Sequence, residues 1–137
     1  ERQEVSQLLE FGEHTAAGRM TTEFIAVPDA GTVADAVAAL RAFEGSAEAV
    51  ATVYLLSPGH LLAGAVPLVR IATSAPETPL ESLAEKPVAC APDTPEKDVA
   101  ELFDKYNLIT LAVADEHGRL VGIITADDVI SMLRDTH

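Results

Sequence analysis

Thr125 and Asp128 are the two side chains of this sequence best placed to do chemistry. They stand three residues apart in Leu-Val-Gly-Ile-Ile-Thr-Ala-Asp-Asp-Val-Ile-Ser-Met-Leu (120–133), where a run apolar enough for a buried strand gives way to helical spacing. A threonine at such a junction accepts from the amides of a helix start, and a carboxylate three residues on answers the threonine's own amide. That end of a helix carries a partial positive charge, so free amides beside a fixed carboxylate suit a phosphate or a sugar hydroxyl. The pair reads two ways, as a ligand-binding pair and as a plain capping box. Asp127, between them, reads as solvated surface.

Other groups with reactive potential are scattered. His14, His60, His117 and His137 fall in unrelated turns or near the termini, with no pair at helical spacing around a glutamate as a zinc hydrolase needs. Cys90 sits in the apolar run Val88-Ala89-Cys90-Ala91, where packing is the expected role, and as the single cysteine it has no partner for a disulfide. Neither a Gly-x-Ser-x-Gly elbow nor a Walker sequence occurs. Catalysis is not expected.

The elements that position Thr125 and Asp128 can be read along the chain. Val5, Leu8, Leu9 and Phe11 have near-helical spacing before Gly12, which predicts a connector helix in residues 1–17. A short strand closed by Pro28 follows, then a helix from Thr32 to about Glu44, with Thr32 and Asp35 as its capping box. Residues 51–56 and 61–66 predict an antiparallel hairpin around Ser57-Pro58-Gly59-His60, and residues 68–73 a short helix. The prolines of residues 74–79 mark a linker.

After that linker the order recurs. Thr32, Val37 and Leu40 fall 62 positions before Thr94, Val99 and Leu102, with Thr94 expected as N-cap and Pro95 at the first helical position. A second hairpin, residues 111–114 and 119–124, places Gly122 where the first has Gly64. Two copies of strand, helix, hairpin and helix therefore make a mixed α/β (α+β) chain, with repeats at 18–75 and 76–137. Neither copy can bury both faces of a three-stranded sheet alone, so the copies are expected to pack as a pseudo-twofold pair.

Composition narrows the function. The formal charge is −13, and the second half is the more acidic: residues 71–137 hold 13 acids against 5 bases, residues 1–70 hold 9 against 4. Phosphate backbones and anionic membranes need clustered Lys and Arg, so nucleic acid is excluded as a partner. The most apolar stretch, residues 61–69, is broken by Gly64 and Pro67, far short of the roughly 20 residues of a membrane span, so direct membrane insertion is not expected. The opening Glu-Arg-Gln-Glu lacks an initiator methionine and suggests an excised segment of a longer polypeptide.

The second hairpin and its helix, Leu111-Ala112-Val113-Ala114-Asp115, Gly118-Arg119-Leu120 and Gly-Ile-Ile-Thr-Ala-Asp-Asp-Val (122–129), resemble the second half of a CBS domain. The tandem arrangement resembles a Bateman module. Residues 8–12 and 15–24, with Glu101-Leu102-Phe103-Asp104-Lys105-Tyr106, are similar to the CBS region of MgtE-type magnesium transporters where it joins a helical domain. This resemblance implies a regulatory module at the cytoplasmic face of the membrane. It would dimerise through its helices, be flanked by a helical and a transmembrane domain of the same polypeptide, and pass ligand-dependent closure to a pore. The implied ligands are Mg²⁺ and ATP or AMP, none being required. The alternatives are an adenine-nucleotide-sensing module of a soluble effector and a ligand-free dimerisation scaffold.

Departures from the family pattern locate the implied sites. The first copy has Pro67 and Arg70 where the second has Thr125 and Asp128, so a nucleotide site is expected only in the second copy, at Thr125 and Asp128 with apolar walls from Val88, Leu108 and Ile109, joined by Tyr106. Asp128, Asn107 and Asp104 are the candidate metal ligands. Pro95, Lys97 and Ser131 stand where the family offers oxygen ligands, and hard divalent ions need oxygen donors.

Overall fold

The computed structural model describes residues 14–135, and the expected connector helix over residues 5–11 lies outside them. The chain order is α1 (Ala16–Arg19), β1 (Ala26–Pro28), α2 (Val33–Ala42), a 3₁₀ turn (Ala47–Val50), β2 (Thr52–Ser57), β3 (Leu61–Pro67) and α3 (Leu68–Ala72). A second 3₁₀ turn (Leu80–Ser82) leads to β4 (Ala89–Cys90), α4 (Glu96–Tyr106), β5 (Thr110–Ala114), β6 (Leu120–Thr125) and α5 (Ala126–Asp135). Two three-stranded sheets result, β1-β2-β3 and β4-β5-β6. In each, the first strand runs parallel to the second and the second antiparallel to the third.

The duplication holds in detail. Leu55 pairs with Gly64 and Val113 with Gly122, and in both hairpins the register slips by one residue immediately afterwards. Positive φ at Gly59, His60 and Gly118 closes the two turns. Those turns then bond to each other reciprocally: Leu62 N–H donates to the Gly118 carbonyl at 2.9 Å, and Leu120 N–H to the His60 carbonyl at 3.1 Å. Exchanging bonds between equivalent positions is the signature of a pseudo-twofold axis. In the second turn, Asp115 accepts from the amides of Arg119 and His117, each at 2.9 Å, and these donors hold its carboxyl below the ordinary range.

Each sheet borrows an edge from the chain that leads to the other repeat. Thr21 and Ile123 exchange backbone bonds of 2.8 and 3.0 Å, which seats residues 14–21 against β6. Ala65 and Glu85 exchange bonds of 3.0 and 2.8 Å, which seats the segment before β4 against β3. Gly64 and Gly122 lie under these crossings. A Cβ on Gly122 would stand 2.6 Å from Met20 Sδ and 3.1 Å from the Thr21 carbonyl oxygen, and one on Gly64 would stand 3.2 Å from Ala84 Cβ.

The hydrophobic clusters follow the same exchange. The first, around Val33, Val53, Leu55 and Val66, is filled by Leu80 from beyond the linker, and the second, around Val99, Leu111, Val113 and Ile124, by Ala16 from the leading segment. A third draws on both sheets, with Tyr54, Ala112, Leu120 and Ile123. Within it the Tyr54 hydroxyl meets Thr110 Oγ1 at 2.8 Å, and Thr110 Oγ1 donates to Thr52 Oγ1 at 3.1 Å. Buried hydroxyls so satisfied fix the sideways position of one sheet on the other.

Two expected boundaries are corrected. Helix α4 begins at Glu96 with Pro95 in the extended cap position, one residue later than the capping pattern implied. The Glu96 amide is taken by the His14 carbonyl at 2.9 Å, and the bridge between Thr15 and Pro95 holds Pro95 extended. Glu96 itself is buried and bonded to Arg19 Nε at 2.6 Å. Helix α2 stops at Ala42 because Phe43 turns extended and packs onto two of the clusters.

Burial pushes the Tyr54 hydroxyl up to about 12, against the pull of its bond to Thr110. A phenol in the unfolded chain ionises near pH ~10, so this group supports the fold fully below ~10, and the support is lost as pH rises through the folded value. Tyr54→Phe is expected to cost about 1 kcal/mol at neutral pH and to flatten the fall in stability on the alkaline side, as read by denaturant titrations at stepped pH. Gly122→Ala is expected to lower stability by about 1 kcal/mol, since a methyl there must displace the Met20 side chain and crowds the Thr21 carbonyl; faster hydrogen exchange at Thr21 would accompany it.

Candidate functional site

Strand β6 delivers Thr125 directly to the start of α5, and the local sequence closes on itself there. Thr125 N–H and Thr125 Oγ1 both donate to Asp128 Oδ2 at 3.1 Å, while Asp128 N–H reaches Thr125 Oγ1 at 3.4 Å. Thr125 is buried and Asp128 half-buried. Thr32 and Asp35 make the same box at the start of α2, with Thr32 N–H donating to Asp35 Oδ2 at 2.9 Å. The capping role of the Thr-x-x-Asp pair is thus present.

The amides at this helix start are not free, which corrects the expectation drawn from the sequence. Beyond the box, Ala126 N–H donates to the Ile109 carbonyl at 2.9 Å, and Asp127 N–H donates to Glu48 Oε1 at 3.1 Å. The last acceptor comes from the 3₁₀ turn of the other repeat, 79 positions earlier. Sequence reasoning missed Glu48, because an acid in a short polar turn carries no local sign of what it faces.

The other expected site residues fall in two places, with Leu108 lining both. Val88 and Leu108 line a cavity of about 110 Å³ between the repeats, together with Thr52, Tyr54, Pro67, Lys86 and Thr110. It is small beside the several hundred Å³ of typical ligand pockets, and Thr125 and Asp128 are not among its walls. Pro67 and Tyr54 narrow it from the first repeat. Ile109 contributes its carbonyl to α5 while its side chain is exposed.

Asp104 and Asn107 line a shallower groove of about 430 Å³ between α4 and α5, with Phe103, Ala126, Val129 and Ile130. Asn107 ends α4 in the left-handed conformation, a helix-stopping role that asparagine tolerates well. Asp128 is not among the groove's walls. Among the described residues no group of three or more His, Cys, Asp or Glu side chains is arranged to hold a metal. Tyr106, Ile109 and Ile130 stand about half exposed on this side of the molecule.

Cys90 is half-buried, and burial pushes its thiol up, with Asp93 adding to the shift and a bond to Thr94 opposing it. A thiol kept protonated is a poor nucleophile. His14, His60 and His117 are exposed.

Comparison with known proteins now bears on this geometry. Residues 80–135 match the model of the CBS domain family, and the preceding residues repeat the same sheet and hairpin. The chain has the fold of a CBS pair. Its sequence is 36% identical over 133 residues to the magnesium transporter MgtE of Thermus thermophilus, covering 96% of this chain and 30% of that protein. It is 28% identical over 134 residues to MgtE of Bacillus subtilis, again covering 30% of that protein. Among solved structures it matches the soluble part of a magnesium transporter with a TM-score of 0.85 at 25% identity, over 97% of this chain and 52% of that one. It also matches the cytosolic domain of the Mg²⁺ channel MgtE in complex with ATP, with a TM-score of 0.81 at 32% identity, over 95% of this chain and 53% of that one. This CBS pair therefore resembles the CBS region of MgtE-type transporters and spans about a third of the curated relatives' length. No helix among the described residues is long and apolar enough to cross a membrane.

Replacing Asp128 with alanine removes the acceptor for both Thr125 donors. The expected cost is about 1 kcal/mol, similar to that of Asp35→Ala in α2, both measured by thermal or denaturant unfolding.

Proposed function

We propose that this CBS pair is the ligand-sensing regulatory region of a magnesium transporter, lying at the cytoplasmic face of the membrane and without catalytic activity of its own. The observation that carries this reading is the 36% identity to a magnesium transporter extending over 96% of the chain rather than over the CBS motif alone. A flanking helical domain and a transmembrane domain of the same polypeptide complete the protein in this reading. The half-exposed Tyr106, Ile109 and Ile130, beside the groove between α4 and α5, form the surface that receives a second protomer.

Two ligands act on this module. An adenine nucleotide binds the second repeat, its ribose hydroxyls on Asp128, its phosphate toward Thr125 and the start of α5, and its base toward Leu108, which lines the groove beside Ala126. The ATP complex of a 32% identical cytosolic domain supports this ligand class. Mg²⁺ acts on the acidic surface, with Asp104 and Asn107 in the groove between α4 and α5, and Asp128 outside it, as separate oxygen donors. Carboxylates brought together by dimer closure repel one another, and a hard cation bridging their oxygens relieves the repulsion. Closure is then favoured by as much as the ligand prefers the closed state.

Calorimetric titration of the chain with ATP, AMP and Mg²⁺, alongside sedimentation velocity, tests the reading. Saturable nucleotide binding, weakened at least tenfold by Asp128→Ala in a protein that keeps its circular dichroism spectrum, is expected. So is a Mg²⁺-dependent shift to a more compact dimer. Silence with all three ligands, with the dimer retained, would favour the scaffold reading instead.

A further inference from the structure

The two segments that cross onto the sheets are held at equivalent places by different chemistry. At the start of α2, Val33 N–H donates to the Thr78 carbonyl at 2.9 Å and Leu80 N–H to the Gly31 carbonyl at 3.0 Å. At the start of α4, Glu96 N–H donates to the His14 carbonyl at 2.9 Å and Ala16 N–H to the Thr94 carbonyl at 2.8 Å. The bridges Thr32–Pro79 and Thr15–Pro95, and the crossings Ala65–Glu85 and Thr21–Ile123, complete the match. Val33 thus corresponds to Glu96, Leu80 to Ala16 and Leu83 to Arg19. In the first repeat, buried Val33 and Leu80 share one apolar cluster with half-buried Leu83. In the second, the same places hold the buried carboxylate of Glu96 with Arg19 Nε at 2.6 Å, and only the methyl of Ala16 enters the cluster. Met20, at the place of Ala84, is the one exchange among these positions that adds apolar bulk.

We infer that residues 14–21 are a releasable strap across the second repeat, with the Arg19–Glu96 ion pair as its catch, whereas residues 78–85 are a fixed part of the first. Lifting an apolar segment is penalised in proportion to the area it uncovers. An ion pair behaves differently, because each partner recovers its hydration on opening, and a buried pair therefore holds less firmly than apolar residues of similar volume. Salt screens the separated charges and adds to the preference for the lifted state. Lifting the strap uncovers the Ile123 amide and carbonyl on β6 and takes Met20 off Gly122, without disturbing β1, β2 or β3. Opening is then a local event, reached at a lower free energy than unfolding of the whole chain.

Amide hydrogen exchange of the whole chain tests this, at fixed pH because His14 Nδ1 stands 3.6 Å from Glu96 Oε1. Raising the ionic strength from about 0.05 M to about 1 M is expected to lower protection of the Thr21 and Ile123 amides about threefold and to leave those of Ala65 and Glu85 unchanged. Glu96→Gln removes the carboxylate and keeps the size of the side chain; it is expected to lower protection at Thr21 and Ile123 about tenfold at low salt. The double variant Arg19→Leu with Glu96→Val copies the pair of the first repeat. It is expected to protect the same two amides about fivefold better than the wild type and to abolish their salt response. Melting curves establish that the variants are folded, and the comparison of the two crossings in the wild-type chain needs no variant. An equal salt response at both crossings, no loss of protection in Glu96→Gln, or protection in the double variant no higher than in the wild type would overturn the role of Arg19–Glu96 as a catch.

Discussion

A three-stranded sheet has two faces, and neither repeat of this chain has enough helix to cover both. That shortage governs the architecture. Each sheet turns one face to its own helices and the other to its counterpart, and the contact between them is made specific by Tyr54, Thr110 and Thr52, whose hydroxyls are joined in series. An apolar contact alone would tolerate sliding. A phenol with its hydroxyl buried does not, because every displacement strands a polar group away from water.

The repeats use this common frame unequally. Tyr54 takes up space where the second repeat has Ala112, and Pro67 stands where the second has Thr125. Pro67 supplies neither a hydroxyl nor an amide, and Arg70 replaces the carboxylate of Asp128. The first repeat has put bulk and rigidity where the second keeps hydrogen-bonding groups. Chemical capacity is concentrated at one of two related positions, and Glu48, from the repeat that lost its own, reaches across to the repeat that kept it.

Much of this was legible in the sequence because it is local. Both hairpins and the Thr-x-x-Asp boxes rest on spacing within about sixteen residues, and Gly64 and Gly122 are matched by their places within those hairpins, which is what periodicity and repetition record. What escaped is what depends on distant partners. The shift of the α4 start to Glu96 comes from a bond to His14, and Phe43 leaves α2 early to join clusters assembled from both repeats. The filled amide of Asp127 is the same kind of case, a bond between residues far apart in the chain. Even Val88, apolar enough to be a wall for Thr125 and Asp128, lines a different cavity, because apolarity predicts burial without direction.

The exchange of leading segments bears on how such a chain can be divided. A cut in the proline-bearing linker, the obvious seam on composition, would not release two self-contained halves. The amino-terminal piece would lose Leu80 from the middle of its interior and the Glu85 partner of β3. The carboxy-terminal piece would lose Ala16 and the Thr21 partner of β6. Each would then carry a naked strand able to pair with whatever chain it met, so aggregation rather than independent folding is the natural fate of a bisected molecule.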